Sequence, residues 1–270
     1  VIQGLRAANA GANSHSLLAT AYCAVLEALG GFDLDESPAA NATLAVKAVC
    51  RATGNEDPYR EIKREQNRLA LELESEMKAM IAKSSHRIET AMLVSAFGNI
   101  IDLGAQDSFD LSRELETLFQ KGFAISEIAE FLRELERARR LLFLADNAGE
   151  IVFDRILLET LPADLEKVLV VKSGPIINDA TTADALMVGA DRAARVITTG
   201  GSDLGVNRDN CSEEFLEALA KADIVIAKGH ANFETLNEEK RGIFFLLKAK
   251  CAVVARALGV ETGSLVFLRS

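Results

Sequence analysis

The sequence predicts an α/β protein: a three-layer α/β/α domain on a mainly parallel sheet over residues 141–270, preceded by an all-helical region over residues 1–140. Two observations carry this. From Leu141 onward, compact apolar runs alternate with helical segments: LLFLA at 141–145, VLVV at 168–171, RVIT at 195–198 and DIVIA at 223–227. That alternation is the pattern of βαβ units. Before Leu141 the apolar residues recur at helical spacing, and no strand alternation appears.

In the first region an alanine-rich segment runs from about 17 to 29 and stops at Gly30-Gly31; a second runs from 40 to 53 and stops at Gly54. Asp57-Pro58 reads as an N-cap followed by proline at the first helical position. The long helix it starts runs through Lys83, with Ile62, Leu69, Leu73, Met77, Met80 and Ile81 on its apolar face. Its Glu and Lys residues read as a solvated face. Further helices are expected at 86–98, 112–120 and 126–139. In the second region GIFFLLKA (242–249) and SLVFL (264–268) add two strands around a helix at 251–258.

Composition limits the function. Of 270 residues 49% are hydrophobic, enough for a sizeable core, and 26% are charged. No apolar run approaches the roughly 18 residues that span a bilayer. The net charge of −10, with no Trp and few aromatics, argues against nucleic-acid partners. No signal peptide is visible, and the chain begins at Val1 rather than Met, which leaves room for a native start upstream. The cysteines at 23, 50, 211 and 251 form no CxxC pair and read as buried small hydrophobes in a reduced, cytoplasmic protein. Three scattered histidines disfavour zinc. The oligomeric state is left open.

In open α/β sheets ligands bind outside the C-terminal ends of the strands, where this sequence concentrates its unusual polar residues. LLFLA leads into Asp146, Asn147, Ala148, Gly149 and Glu150, a pair of oxygen donors before a helix start. A helix N-terminus is suited to phosphate. VLVV leads through Lys172 to Asn178 and Asp179, with Asp184 further on. Two carboxylates and an amide would suit Mg²⁺ or Mn²⁺. The competing reading makes Asp146, Asn147 and Asp179 plain helix caps. DIVIA ends in Lys228, whose ammonium could neutralise a phosphate oxygen, with a flexible link to Asn232; otherwise it is a surface lysine. The glycine-rich stretch at 200–205 matches neither the dinucleotide fingerprint nor the P-loop. Asn99 and Asp102 read as turn and cap residues that could also wall the site.

In DNAGE (146–150), NDATTAD (178–184), GSDLG (201–205), KGHANFE (228–234) and GNIID (98–102), the chain resembles the metal-dependent damage-control phosphatases. This is a former family of unknown function that includes the protein called acidic residue methyltransferase, and the short form resembles its archaeal branch. The resemblance implies a helical region packed on an α/β domain. It implies a divalent metal (Mn²⁺, Ni²⁺, Co²⁺ or Mg²⁺) held by Asp146, Asn147 and Asp179. It also implies a place by the phosphate for Lys228 and Asn232. The usual motif has Gln-Gly where this chain has His230-Ala231.

The reading is a phosphatase acting on small phosphate esters, sugar phosphates or damaged phosphometabolites, with no nucleic-acid or membrane partner. Asp146, Asn147, Asp179 and Lys228 are its catalytic candidates; Lys228, Asn232, Gly149, Glu150, Asn99 and Asp102 are its substrate-binding candidates. Glu150 or Asp184 would orient groups or move protons, and the nucleophile is either water or a carboxylate such as Asp146. Two rivals are an S-adenosylmethionine-dependent carboxyl methyltransferase using the 200–205 loop, and a non-catalytic phosphometabolite-binding protein.

Overall fold

A computed structural model describes residues 1–98, 117 and 119–270. The described residues form one seven-stranded sheet. Its strands are β1 (Ile125–Ser126), β2 (Arg140–Leu144), β3 (Glu166–Val171), β4 (Arg195–Thr198), β5 (Ile224–Lys228), β6 (Phe244–Lys248) and β7 (Leu265–Arg269). They lie in the order β1-β7-β6-β5-β2-β3-β4. All neighbours are parallel except β6 and β7. Among the described residues, helices α1 (Ile2–Gly11), α2 (His15–Ala28), α3 (Pro38–Thr53), α4 (Arg60–Lys83) and α5 (Arg87–Gly98) precede the sheet. Six more lie between strands: α6 (Ile128–Leu135), α7 (Glu150–Thr160), α8 (Thr182–Met187), α9 (Glu213–Lys221), α10 (Gly229–Leu236) and α11 (Ala252–Leu258).

The layers follow from the pleat. Successive side chains of a strand face opposite ways, so Leu141 and Phe143 of β2 enter one core and Leu142 and Leu144 the other. A sheet buried on both faces needs continuous apolar strands, which is why these runs do not alternate. The first core is closed by α4 to α7, including Met77, Met92, Phe97 and Phe153. The second is closed by α9 and α11 through Phe215, Leu219 and Val254. A third, smaller core joins α1 to α3 and reaches Ile176 and Leu204 at the strand ends.

Local signals set the helix ends. Ser14 Oγ accepts from the Leu17 N–H at 3.2 Å and Ser37 Oγ from the Ala40 N–H at 3.1 Å, with Pro38 in the first turn. Gly54 ends α3 at φ 65°.

Several expectations change. The helix expected at 126–139 covers only 128–135, because Ile125 and Ser126 pair with β7 as a two-residue strand too short to show alternation. On α4 the buried face is rotated: Ile62 is 42% exposed, whereas Lys63, Gln66 and Asn67 are buried. Asp57 does not cap that helix; it pairs with Lys63 at 3.0 Å. Cys23 and Cys251 are exposed rather than buried. The expected turn after Lys228 is helix α10. Most of the helix expected at 112–120 falls outside the described residues, as do Asn99 and Asp102. No helix among the described residues is long and apolar enough to cross a membrane.

Candidate active site

Chain order reverses between β2 and β5: β3 and β4 continue on one side, β6 and β7 on the other. Such a switch point opens a crevice at the strand C-termini. Asp146, just beyond β2, and Gly229, just beyond β5, face each other across it. A Cβ on Gly229 would lie 2.1 Å from Asp146 Oδ2, so only glycine, at φ 81°, lets the carboxylate sit there.

The loops after β2 and β3 are joined by backbone hydrogen bonds. The Ala148 N–H donates to Asn178 O and the Ala180 N–H to Asp146 O, each at 2.8 Å. Asn147 and Asp179 thus face each other as an antiparallel bridge. The helix-cap reading fails for all three residues. The residue capping α7 is Gly149, and the one capping α8 is Thr181. Asp184 serves that second cap, its Oδ2 accepting from the Thr181 N–H at 2.9 Å and the Thr181 hydroxyl at 2.6 Å.

Asn147 Nδ2 donates to Asp146 Oδ2 at 3.0 Å and to Glu150 Oε1 at 2.7 Å. Two carboxylate neighbours fix the amide's orientation, because only its NH₂ can satisfy both. The amide oxygen is thereby turned the other way.

The electrostatics are those of crowded, buried carboxylates. Asp146 is held well above the usual range, chiefly by burial and then by Glu150 and Asp179; Lys250 and Lys228 oppose the shift. Asp179 is pushed up to about 6: burial raises it most, Lys172 pulls it back, and Glu150 pushes it further. Asp154, fully buried, is likewise raised to about 6 by burial against the pull of Lys228. Burial disfavours the Lys228 ammonium, but Asp154 and Glu150 outweigh it and raise its pKa.

The substrate-side candidates sit differently from expectation. Lys228 is wholly buried, its Nζ donating to Ser95 O at 2.8 Å and Asp154 Oδ1 at 2.7 Å, with Glu150 Oε2 at 3.2 Å. An ammonium has three N–H bonds, and all are taken inside the protein. Asn232 Nδ2 donates to Lys228 O at 2.7 Å and Ala145 O at 3.3 Å, tying β5 to β2. The Gly149 N–H is accepted by Asn67 Oδ1 at 2.7 Å, and those of Ile151 and Val152 by Asn147 O and Gly149 O. The start of α7 therefore has few N–H groups left for phosphate. The side-chain N–H groups of Lys228 and Asn232 are thus taken up by protein oxygens.

Sequence reasoning missed Asn67, Ser95, Asp154, Lys172 and Lys250. Lys172 is buried with its Nζ 3.7 Å from Asp179 Oδ2, and it also donates to Gly205 O. Lys250 is exposed just past β6, and its charge acts on Asp146. Its available signal was the pair of lysines, Lys248 and Lys250, that follows the apolar run 243–247. Burial lowers the pKa of His230, whose Nε2 accepts the Lys250 N–H at 3.1 Å.

The glycine loop is closed by protein. A Cβ on Gly200 would meet the Ser212 backbone N at 2.3 Å, and Asp203 pairs with Lys47 at 2.7 Å. These glycines allow backbone to approach backbone rather than a cofactor. A cleft of about 260 Å³ lies at the opposite end of the strands, by Arg140, Glu166, Arg195 and Glu214. Those charges pair with one another, and none of the strand-end residues lines it.

Residues 7–266 match the family described as the damage-control phosphatase ARMT1-like domain. The chain is 38% identical over 237 residues to a damage-control phosphatase of Pyrococcus horikoshii, covering 86% of this chain and 82% of the relative. It is 37% identical over 232 residues to a damage-control phosphatase of Archaeoglobus fulgidus, covering 83% and 80%. The crystal structure of a DUF89 family protein from Pyrococcus horikoshii superposes with a TM-score of 0.92 at 35% identity, covering 99% of this chain and 95% of that one.

Proposed function

Since the chain belongs to the ARMT1-like damage-control phosphatase family, we propose that it is a divalent-metal-dependent, cytoplasmic phosphomonoester hydrolase acting on sugar phosphates or damaged phosphometabolites. The observation that carries this is the bridge between Asn147 and Asp179 beside Asp146, with none of the three used as a helix cap.

The residues fit a hard divalent cation. Among the described residues, four carboxylates (Asp146, Glu150, Asp154 and Asp179) meet the buried ammonium groups of Lys172 and Lys228. Lys63 also pulls on Asp179, but its ammonium is shared with Asp57 and Asp184. Two positive charges would balance the set and relieve the burial that raises Asp146 and Asp179. Among the described residues no three His, Cys, Asp or Glu side chains form a metal-ready cluster. The donor set is two carboxylates and an amide oxygen, which suits Mg²⁺, Mn²⁺, Co²⁺ or Ni²⁺ with positions left for water or phosphate oxygen. When bound, such a cation polarises the phosphoryl group and stabilises charge in the transition state.

The protein's own residues do the rest. Asp146 and Asp179 supply anionic oxygens, and Glu150 turns the Asn147 amide so that its oxygen joins them. Lys172 holds Asp179 from behind. Lys250, exposed and acting on Asp146, would supply positive charge to a substrate phosphate. The methyltransferase alternative finds less support, since Gly200 of that loop packs against the backbone at Ser212.

The test is a broad screen of phosphate esters with Mn²⁺, Co²⁺, Ni²⁺ and Mg²⁺. Release of inorganic phosphate that needs the metal is expected. Metal binding without turnover of any ester would favour a binding protein instead.

A further inference from the structure

Lys228 is held by two carboxylates, one more than its charge requires. Glu150 and Asp154 lie four residues apart on one face of α7, and both reach the same ammonium, Glu150 at 3.2 Å and Asp154 at 2.7 Å. Ser95 of α5 completes the shell. Its carbonyl accepts from Lys228 Nζ at 2.8 Å, and its hydroxyl donates to Asp154 Oδ1 at 2.6 Å. Ser95, Asp154 and Lys228 are all at zero exposure.

Stability does not account for this cluster. A buried ion pair returns little net stability, and apolar residues of similar volume are often as good or better. A second buried carboxylate makes the cost larger, and Asp154 Oδ2 has no hydrogen-bond partner among the described residues. The geometry instead runs in one direction, toward the strand ends. Ser95 and Asp154 fix Lys228; Lys228 holds Glu150 Oε2; Glu150 Oε1 accepts from Asn147 Nδ2 at 2.7 Å.

We propose that Ser95 and Asp154 are positioning residues that act through Lys228 and Glu150 to set the orientation of the Asn147 amide, and with it the oxygen donors of the cation site. With Asp154 taking the short contact to the ammonium, Glu150 is held at longer range and keeps an oxygen for Asn147. Without Asp154, Lys228 collapses onto Glu150 and draws it away from Asn147. The inference rests on the metal site proposed above, and it places part of the control of that site on α5, more than 50 residues before Asn147 in the chain.

The experiment is a calorimetric titration of Mn²⁺ into the full chain, with the electron paramagnetic resonance spectrum of the bound ion and the thermal midpoint recorded on the same samples. Asp154→Asn is expected to weaken Mn²⁺ binding roughly 10- to 100-fold and to change the spectrum of bound ion, as loss of an outer-shell partner does. Ser95→Ala keeps both charges and removes one hydroxyl, so a loss of a few-fold is expected. A lowered midpoint with wild-type Mn²⁺ affinity and spectrum in both variants would overturn the proposal, because it is the result a purely structural cluster gives. If Asp154→Asn does not fold, Ser95→Ala decides alone. Wild-type protein that fails to bind Mn²⁺ would sink the metal-site reading itself; a binding wild type with unchanged variants would sink only the role of Ser95 and Asp154.

Discussion

Asn67 of α4 accepts the Gly149 N–H at 2.7 Å, and its own amide N–H donates to Asp184 Oδ1 at 2.9 Å. One buried side chain from the helical region thus joins the start of α7 to the start of α8, the two helices that follow the proposed metal loops.

Replacing Asn67 separates two of its properties. Asn67→Leu leaves the buried Gly149 N–H without an acceptor and is expected to cost about 2–3 kcal/mol in urea unfolding, with weakened Mn²⁺ binding. Asn67→Asp keeps the acceptor for Gly149 but sets a carboxylate against Asp184. It is expected to be less stable than wild type in urea unfolding at pH 7. Wild-type stability of Asn67→Asp would contradict the assigned contacts.

Gly229 is expected to be intolerant for a reason separable from backbone strain. Gly229→Ala places a methyl group on the Asp146 carboxylate and should weaken Mn²⁺ binding roughly 10- to 100-fold. Gly259→Ala is the control, since Gly259 has a similar φ of 68° but nothing within 4 Å of its added Cβ. It should cost about 1 kcal/mol of stability and leave metal binding unchanged.

Much of the fold was legible, because apolar runs at βαβ spacing have few other readings. The strand-end carboxylates were legible for the same reason: their position relative to each strand fixes where they emerge. The partners of Lys228 were not, since Ser95 and Asp154 are local only after folding. A cue existed in Asp154, which interrupts the apolar segment IVFDRILL four residues after Glu150, on the face that packs inward. Asn67 carried the same cue, as a polar residue on the stripe shared by Ala70, Met77 and Ile81. Reading the charge on α4 as wholly solvated hid Lys63 and Asn67 together.

Metal affinity should depend on pH in a definite direction. Asp179 is raised to about 6, and Asp146 well above its usual value, so both take up protons in the metal-free fold at a higher pH than ordinary carboxylates do. The cation competes with those protons. Apparent Mn²⁺ affinity should fall about tenfold per pH unit below 6 for each proton displaced. Stability has the matching sign: a carboxylate raised on folding favours the metal-free fold at low pH, and that contribution is lost as pH rises through the folded value. The rise in thermal midpoint on adding Mn²⁺ should therefore be larger at pH 7.5 than at pH 5. A pH-independent rise would contradict the assignment.

Ile177 precedes Asn178 and Asp179 at φ 38°, a left-handed conformation that strains a β-branched residue. Its neighbour Ile176 is buried at an ordinary φ. Ile176→Gly should cost about 3–5 kcal/mol in urea unfolding. Ile177→Gly should cost less by about 2 kcal/mol, because release of strain offsets lost packing. Equal costs would show that Ile177 stores no strain.

The most direct measurement is parallel Mn²⁺ titration and phosphate-ester cleavage by wild type and Asp179→Ala, with circular dichroism to establish the fold. The expected result is a folded variant that has lost both Mn²⁺ binding and metal-dependent phosphate release. Retention of cleavage with the same response to Mn²⁺ would contradict the site formed by Asp146, Asn147 and Asp179.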